Sequence, residues 1–552
     1  MVGLATVFGA GGGTSSYEEI AAADLIILWG SNARETHPIF FHHVLAAVRR
    51  GARLHVIDPR RTSTAQWAHS WLGLDVGSDI ALSNTIACEI IASGLHDRAF
   101  IERATTGFPA YAESVRSSTL DDGERLTGVP AAVIRELAHS YAAADRAQIC
   151  WTLGITEHHD AVDNVLSLIN LALLTGHVGR YGAGLNPLRG QNNVQGGGDM
   201  GAIPNKLPGF QDIQEQPEVR ARFDQAWDCV IPPTYGKNLT AMFEAMAAGE
   251  LRALYVIGEN PAQSEADARR ANAALQGLDC LIVQDILFTK TAEMADVVLP
   301  ASASWAESEG TVTNSERRVQ RVRKALEPPA GARDDIWIIH ELAKRLGRDW
   351  GAVTPASAWE ELRTLSPMHA GMSYARLDAE GGLQWPCRDE QDPGSLFLHG
   401  RLWEEDEAKR GVRAPFSVVT HDPPVDRLTP EFPIRLTTGR RLDSYNTGVQ
   451  SGGYPSPLRR REALELCAAD AERYGVKDGE RVRVVSRRGA ILVPVNVVAS
   501  LRPGLAFMTF HFPDQAETNV LTIDAYDKKS GTAEFKATAI RVERPGPLEP
   551  ER

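Results

Sequence analysis

Short apolar runs that stop at glycine or at a polar cluster recur along the first third of the chain. Leu25-Ile26-Ile27-Leu28-Trp29 stops at Gly30, Arg53-Leu54-His55-Val56-Ile57 at Asp58-Pro59, and the run Gln148 to Leu153 at Gly154. Runs of this length without strict polar alternation suit parallel strands buried on both faces. Between them His42 to Arg50, Ile80 to Ala92 and Ala131 to Ala144 carry apolar residues at helical spacing. Strand, loop and helix in repetition predict an α/β domain with a parallel sheet. The pattern lapses over 186–240, which opens with NPLRGQNNVQGGGDMGAIPNKLPGF, rich in Gly, Asn, Gln and Pro. A stretch this long without period is expected to be unstructured and functional. The alternation resumes with Leu254 to Ile257 before Gly258, Leu281 to Val283 before Gln284-Asp285, and Val297 to Leu299 before Pro300, predicting a second α/β domain. Residues 370–430 read as a connecting arm. From about Phe432 the runs Ile434 to Thr438, Arg481 to Ser486 and Ala490 to Val498, the last two around the turn Arg487-Arg488-Gly489, predict a β-barrel domain. The predicted fold class is α/β, with two parallel-sheet domains at 1–190 and 191–430 (the arm included) and a barrel at 431–545.

Composition narrows the classes. The chain has 552 residues, 43% hydrophobic and 23% charged, enough apolar material for several cores and too much for a disordered chain. A net charge of −13 argues against nonspecific nucleic-acid binding, which relies on basic patches. No apolar run is long enough for a transmembrane helix, and the N-terminus lacks the basic and apolar regions of a secretory signal, so cytoplasm is the default compartment. The six cysteines show no CxxC-like spacing and the histidines no HExxH, so no metal-ligating residue is predicted; His158 and His159 are read as non-catalytic.

Chemistry collects at the strand ends. Gly30-Ser31-Asn32, Asp58-Pro59-Arg60-Arg61 and Gly77-Ser78-Asp79 follow the first strands, and Gly154 follows a later one. In open parallel sheets ligands bind beyond the carboxyl ends of the strands, where glycine lets backbone N–H groups approach a phosphate and Asp or Arg meets a ribose or phosphate. Together these read as a nucleotide site; the alternative for any one of them is ordinary turn chemistry. Gly258-Glu259-Asn260-Pro261 and Gln284-Asp285 form the corresponding set in the second domain, and Gly439, Arg440, Asn519 and Lys536 add polar groups from the third. Arg189 sits with Gln191 in the polar, glycine-rich loop, a setting that suits a small planar anion, because a guanidinium meets a carboxylate through two parallel hydrogen bonds.

The loop NPLRGQNNVQGGGDMGAIPNKLPGF resembles the signature loop of molybdopterin-dependent formate dehydrogenases. VIDPRRT, LALLTGHVGR, YVIGENPAQSEAD, VQDILFTKTAEMADVVLPASASWAESEGTVTNSERRVQ and LTTGRRLDSYNTG resemble the same family in the same order, from about residue 3 to 543. The resemblance implies two molybdopterin guanine dinucleotides, one per α/β domain, around a molybdenum or tungsten ion, and a C-terminal cap of the double-psi barrel type. It implies that Gly30, Ser31, Asn32, Asp58, Arg60, Gly77, Asp79, Gly154, Gln284, Asp285, Gly439, Arg440, Asn519 and Lys536 bind that cofactor. It also implies that Arg189, with Gln191, orients formate, that carbon dioxide is the product, and that electrons pass to a partner subunit or acceptor. Family members carry four cluster-binding cysteines and a metal-ligating Cys or selenocysteine ahead of the segment matching Gly3-Leu4. A 4Fe–4S cluster is therefore expected only in a segment missing from this sequence, with an exposed apolar patch where that segment packs. The competing readings are a non-catalytic fragment or cofactor-binding paralogue, and another molybdopterin oxidoreductase such as a nitrate reductase.

Overall fold

A computed structural model describes residues 1–304, 306–442, 444, 446 and 461–545. The chain divides into two compact units. The first comprises Met1–Leu188, Ala262–Ala271 and Phe397–Arg552, and the second Arg189–Pro261 and Asn272–Leu396.

The first unit is built on a parallel sheet of β1 (Leu25–Trp29), β2 (Arg53–Ile57), β3 (Ser70–Leu72), β4 (Ala147–Trp151) and β5 (Gly184–Pro187), in the order β3-β2-β1-β4-β5. Alternate residues of β1 feed two cores, because successive side chains leave opposite faces of a strand. Leu25, Ile27 and Trp29 pack with Ile80, Leu82 and Ile86 of α2 (Asp79–Ala92), Ile134 and Leu137 of α3 (Ala131–Ala143) and the almost wholly buried α4 (Ala161–Thr175). Ile26 and Leu28 pack with Phe40, Phe41 and Val44 of α1 (Pro38–Arg49) on the other face. Strand order reverses direction between β1 and β4, whose last residues pair as Trp29↔Trp151. That is a topological switch point, where the loops leaving two neighbouring strands diverge and open a crevice.

The second unit holds a smaller parallel sheet, β6 (Ala253–Ile257), β7 (Cys280–Asp285) and β8 (Val297–Pro300), with β7 central. Val256, Leu281 and Val283 form its core, while Ile257, Ile286, Phe288 and Val297, on or beside the sheet, are exposed. The expectation that 186–240 is unstructured is corrected here. The segment contains α5 (Val194–Asp199) and α6 (Pro217–Trp227) as well as the start of the helix Leu239–Ala247. α6 starts on proline, whose fixed φ suits a first helical turn, and turns Val219 and Phe223 onto Leu207 and Leu365.

Returning to the first unit, a closed barrel is formed by β9 (Ile434–Gly439), β10 (Leu464–Leu466), β11 (Arg481–Val485), β12 (Ala490–Val497), β13 (Leu505–Thr509) and β14 (Thr538–Glu543), in the order β9-β13-β10-β12-β11-β14. β9 runs parallel to β13 and β10 parallel to β12, among otherwise antiparallel pairs. Val482 and Val484 alternate with exposed Arg481 and Arg483 and fill the interior with Leu436, Leu466, Val493, Val495 and Met508. Among the described residues no helix is long and apolar enough to cross a membrane.

Candidate cofactor and substrate site

The switch point of the first unit is lined by backbone. Gly30 follows β1 with φ +56°, and Gly154 follows Thr152 at the end of β4. A Cβ on Gly154 would lie 2.6 Å from the Gly30 Cα, and one on Gly30 would lie 2.8 Å from the Gly154 Cα. Neither position has room for a side chain, so the two turns expose peptide groups where a ligand backbone can approach. Thr152 donates its hydroxyl to the Gly30 carbonyl at 2.6 Å and locks the turns together. Ser31 Oγ is buried there without a hydrogen-bond partner among the described residues. Asn32 Oδ1 accepts from the Thr64 hydroxyl at 2.8 Å and so holds the loop that follows β2.

That loop brings Asp58 and Arg60. Asp58 accepts from the Arg60 N–H at 2.9 Å; burial pushes its carboxyl up to about 6, with Arg60 opposing. The Arg60 guanidinium lies over Phe507 of β13 at 3.3 Å and 3.7 Å from Glu465, and its Nε is buried without a hydrogen-bond partner among the described residues. Arg441 meets the other oxygen of Glu465 at 2.5 Å, and Arg440 donates to Asn446 at 2.5 Å. Gly439 leaves room for Phe507, which a Cβ would meet at 2.9 Å. Gly77, with φ +80°, passes under Pro424. Asp79 begins α2 and accepts from the Trp29 indole at 2.8 Å.

Lys536 is buried, forms an ion pair with Glu157 at 2.6 Å, donates to the Thr438 carbonyl at 3.1 Å, and is held below the usual lysine range by burial. Two residues earlier, Glu534 is fully buried against adjacent histidines. Its Oε1 lies 3.3 Å from His158 Nδ1, and its Oε2 accepts from the His159 N–H at 3.1 Å. The other nitrogen of His158 lies 3.1 Å from the Gly154 carbonyl. Only a doubly protonated ring donates to both acceptors. Burial opposes that charge, but Glu534, Asp79 and Asp160 outweigh it and raise His158 to about 9. Asn519 donates to the carbonyls of Gln263 and Ser264 and so fastens 262–271 to the barrel.

In the second unit Gln284 is buried between Tyr255 and Asp335 and hydrogen-bonds both; Asp285, at the end of β7, accepts from the Leu287 N–H at 3.0 Å. Arg189 is partly buried and Gln191 is exposed. The Arg189 amide donates to Ser315 at 2.7 Å and its guanidinium to Gln195 Oε1 at 3.0 Å. Burial lowers the Arg189 pKa, with Asp199 opposing. The first unit contains Gly30, Ser31, Asn32, Asp58, Arg60, Gly77, Asp79, Gly154, Gly439, Arg440, Asn519 and Lys536. The second holds Arg189, Gln191, Gln284 and Asp285. Sequence reasoning places Gln195 only among the polar residues of the Arg189 loop and does not select Glu157, Glu534, Asp199 or Trp385. The four-residue spacing of Gln195 and Asp199 was an available signal, hidden because three glycines in a row do not suggest a helix.

The donor set fits a dinucleotide. A side-chain-free double turn, an orphaned buried hydroxyl, a guanidinium with an orphaned Nε and a buried lysine suit phosphate, while the buried Asp58 suits a base or ribose edge. Residues 6–345 match the model for molybdopterin oxidoreductase, and residues 434–539 that for the molydopterin dinucleotide binding domain. The chain is 41% identical to F420-dependent formate dehydrogenase 2 subunit alpha of Methanococcus maripaludis, covering 99% of this chain and 80% of that protein. It is 37% identical to formate dehydrogenase H of Escherichia coli, covering 98% and 76% respectively. Acetylene hydratase from Pelobacter acetylenicus shares the fold, with a TM-score of 0.74 at 19% identity over 99% of this chain and 80% of that one. The chain therefore belongs to the molybdopterin oxidoreductase family, an enzyme whose C-terminal barrel is its molybdopterin dinucleotide-binding domain.

Proposed function

We propose that this protein oxidises formate to carbon dioxide, releasing one proton and two electrons. The observation that carries the reading is Arg189, a partly buried guanidinium in a polar, glycine-rich loop, steered by Gln195. Two relatives that match nearly the whole chain are named formate dehydrogenases, which supports a one-carbon carboxylate as the ligand. When bound, a molybdenum or tungsten bis-molybdopterin guanine dinucleotide supplies the two-electron acceptance. Gly30, Ser31, Gly154, Asp58, Arg60 and Lys536 would hold phosphate and nucleotide groups of it. Arg189 pairs with the two carboxylate oxygens and leaves the C–H bond as the free face of the substrate. Fixing a reactant in this way is worth up to about 7–11 kcal/mol of the barrier. The relative's designation as a subunit alpha supports a separate electron-accepting subunit.

Arg189→Ala and Arg189→Lys test the reading by formate-dependent dye reduction at equal metal and pterin content. Alanine is expected to cut kcat/KM by at least roughly 100-fold, and lysine, which keeps the charge but not the two-pronged geometry, by about tenfold. Equal kcat/KM in all three proteins would refute it.

A further inference from the structure

Behind Arg189 runs a chain of hydrogen bonds with a fixed direction. Gln195 and Asp199 lie one turn apart on α5 and are both buried. Gln195 Nε2 donates to Asp199 Oδ1 at 2.8 Å, which leaves Gln195 Oε1 to accept from Arg189. The Trp385 indole N–H donates to Asp199 Oδ2 at 2.7 Å. Trp385 is in turn fixed by Arg317, a fully buried guanidinium that donates to the carbonyls of Trp385, Ser395 and Leu396.

Each link has one workable polarity. The indole can only donate, and so can the guanidinium. An ionised Asp199 can only accept, so it takes one donor on each oxygen and forces Gln195 to present its amide nitrogen inward and its carbonyl outward. A glutamine turned the other way would oppose an N–H to Arg189. Resting on the reading that Arg189 receives formate, we propose that Asp199 is a positioning residue that, through the amide orientation of Gln195 and against Trp385, aims the Arg189 guanidinium at the substrate carboxylate.

Burial pushes the Asp199 carboxyl up to about 7, with Gln195, Trp385, Arg189 and Arg317 all favouring the ionised form. Among the described residues, those two cations and two neutral donors face it. Once protonated, Asp199 can donate to Gln195 and let the amide turn over, so formate binding weakens as pH falls through about 7.

The test compares Asp199→Asn, Trp385→Phe and the double variant in the cofactor-loaded protein, with Arg189→Ala alongside. An asparagine cannot accept from both neighbours, so Asp199→Asn is expected to raise KM for formate about tenfold or more with a smaller fall in kcat, the scale of one misdirected charged hydrogen bond. Its KM is also expected to lose the wild-type rise below pH 7. Removing the indole N–H ends the conflict, because the introduced asparagine then turns its carbonyl to Gln195. The double variant is therefore expected to recover to within about threefold of Trp385→Phe, a non-additivity that a purely structural loss does not give. A wild-type KM in Asp199→Asn, or a double variant worse than both singles, would overturn the proposal while leaving the Arg189 reading intact. An unchanged kcat/KM for formate in Arg189→Ala would overturn both. If Asp199→Asn fails to fold, the double variant alone decides through the same comparison with Trp385→Phe.

Discussion

Two glycines set the geometry of the first unit's crevice. Gly30 and Gly154 come within van der Waals limits of each other, so a methyl group at either must displace main chain. Gly154→Ala is expected to destabilise the protein by about 1–3 kcal/mol, the usual cost of overpacking, and to lower pterin content. Thermal unfolding and cofactor analysis of the same preparation check this. Gly258, with φ +63° and nothing within 4 Å of the place a methyl would occupy, is the control in the second unit: the crowding penalty is absent there and only the backbone penalty remains.

At the scale of elements, the segment Glu534–Lys536 docks on the turn that holds Glu157–His159. The Phe535 N–H donates to the Glu157 carbonyl, His158 and His159 meet Glu534, and Lys536 returns to Glu157. His158 titrates above its ordinary 6.5. Its contribution is therefore complete below pH 6.5 and is lost as the pH rises through about 9, a few kcal/mol at most at about 1.4 kcal/mol per unit. Thermal stability is expected to fall across that window in the wild type and much less in His158→Gln. A wild-type profile retained in His158→Gln would remove the imidazolium from the account. α6 offers a second element-scale case. Phe223→Ala is expected to cost about 3–5 kcal/mol, read by chemical denaturation, because the ring is fully buried on Leu207 and Leu365.

The same elements show what a sequence makes visible. β1 was legible because a strand buried on both faces needs an unbroken apolar run, β2, β4 and β7 because largely apolar runs stop at glycine or a polar cluster, and their polar ends because ligand chemistry gathers there. α6 was not, since its buried apolar residues are two among charged neighbours and its stability comes from packing rather than pattern. The pairing of His159 with Glu534 spans 375 residues and has no local signal at all. Asp199 escaped notice for a related reason: its importance lies in the polarity of a chain ending at Trp385, 186 residues away.

At the scale of the whole molecule, the −13 net charge and the buried cationic groups work in opposite senses. The surface repels anions at long range, while under the proposed function Arg60, Arg189 and Lys536 would receive them locally. A cofactor bound through several such groups stabilises the folded state by mass action, by about 2.7 kcal/mol at a concentration about 100 times its Kd. The loaded protein is expected to unfold at a higher temperature than protein made without molybdenum or tungsten. Oxidation of formate carbon at this protein is followed with isotope-labelled formate. Metal- and pterin-quantified protein is supplied with 13C-formate and an artificial two-electron acceptor, and labelled carbon dioxide is measured against acceptor reduced. One labelled carbon dioxide per two electrons is expected, abolished in Arg189→Ala. Full cofactor content with no labelled carbon dioxide would contradict it.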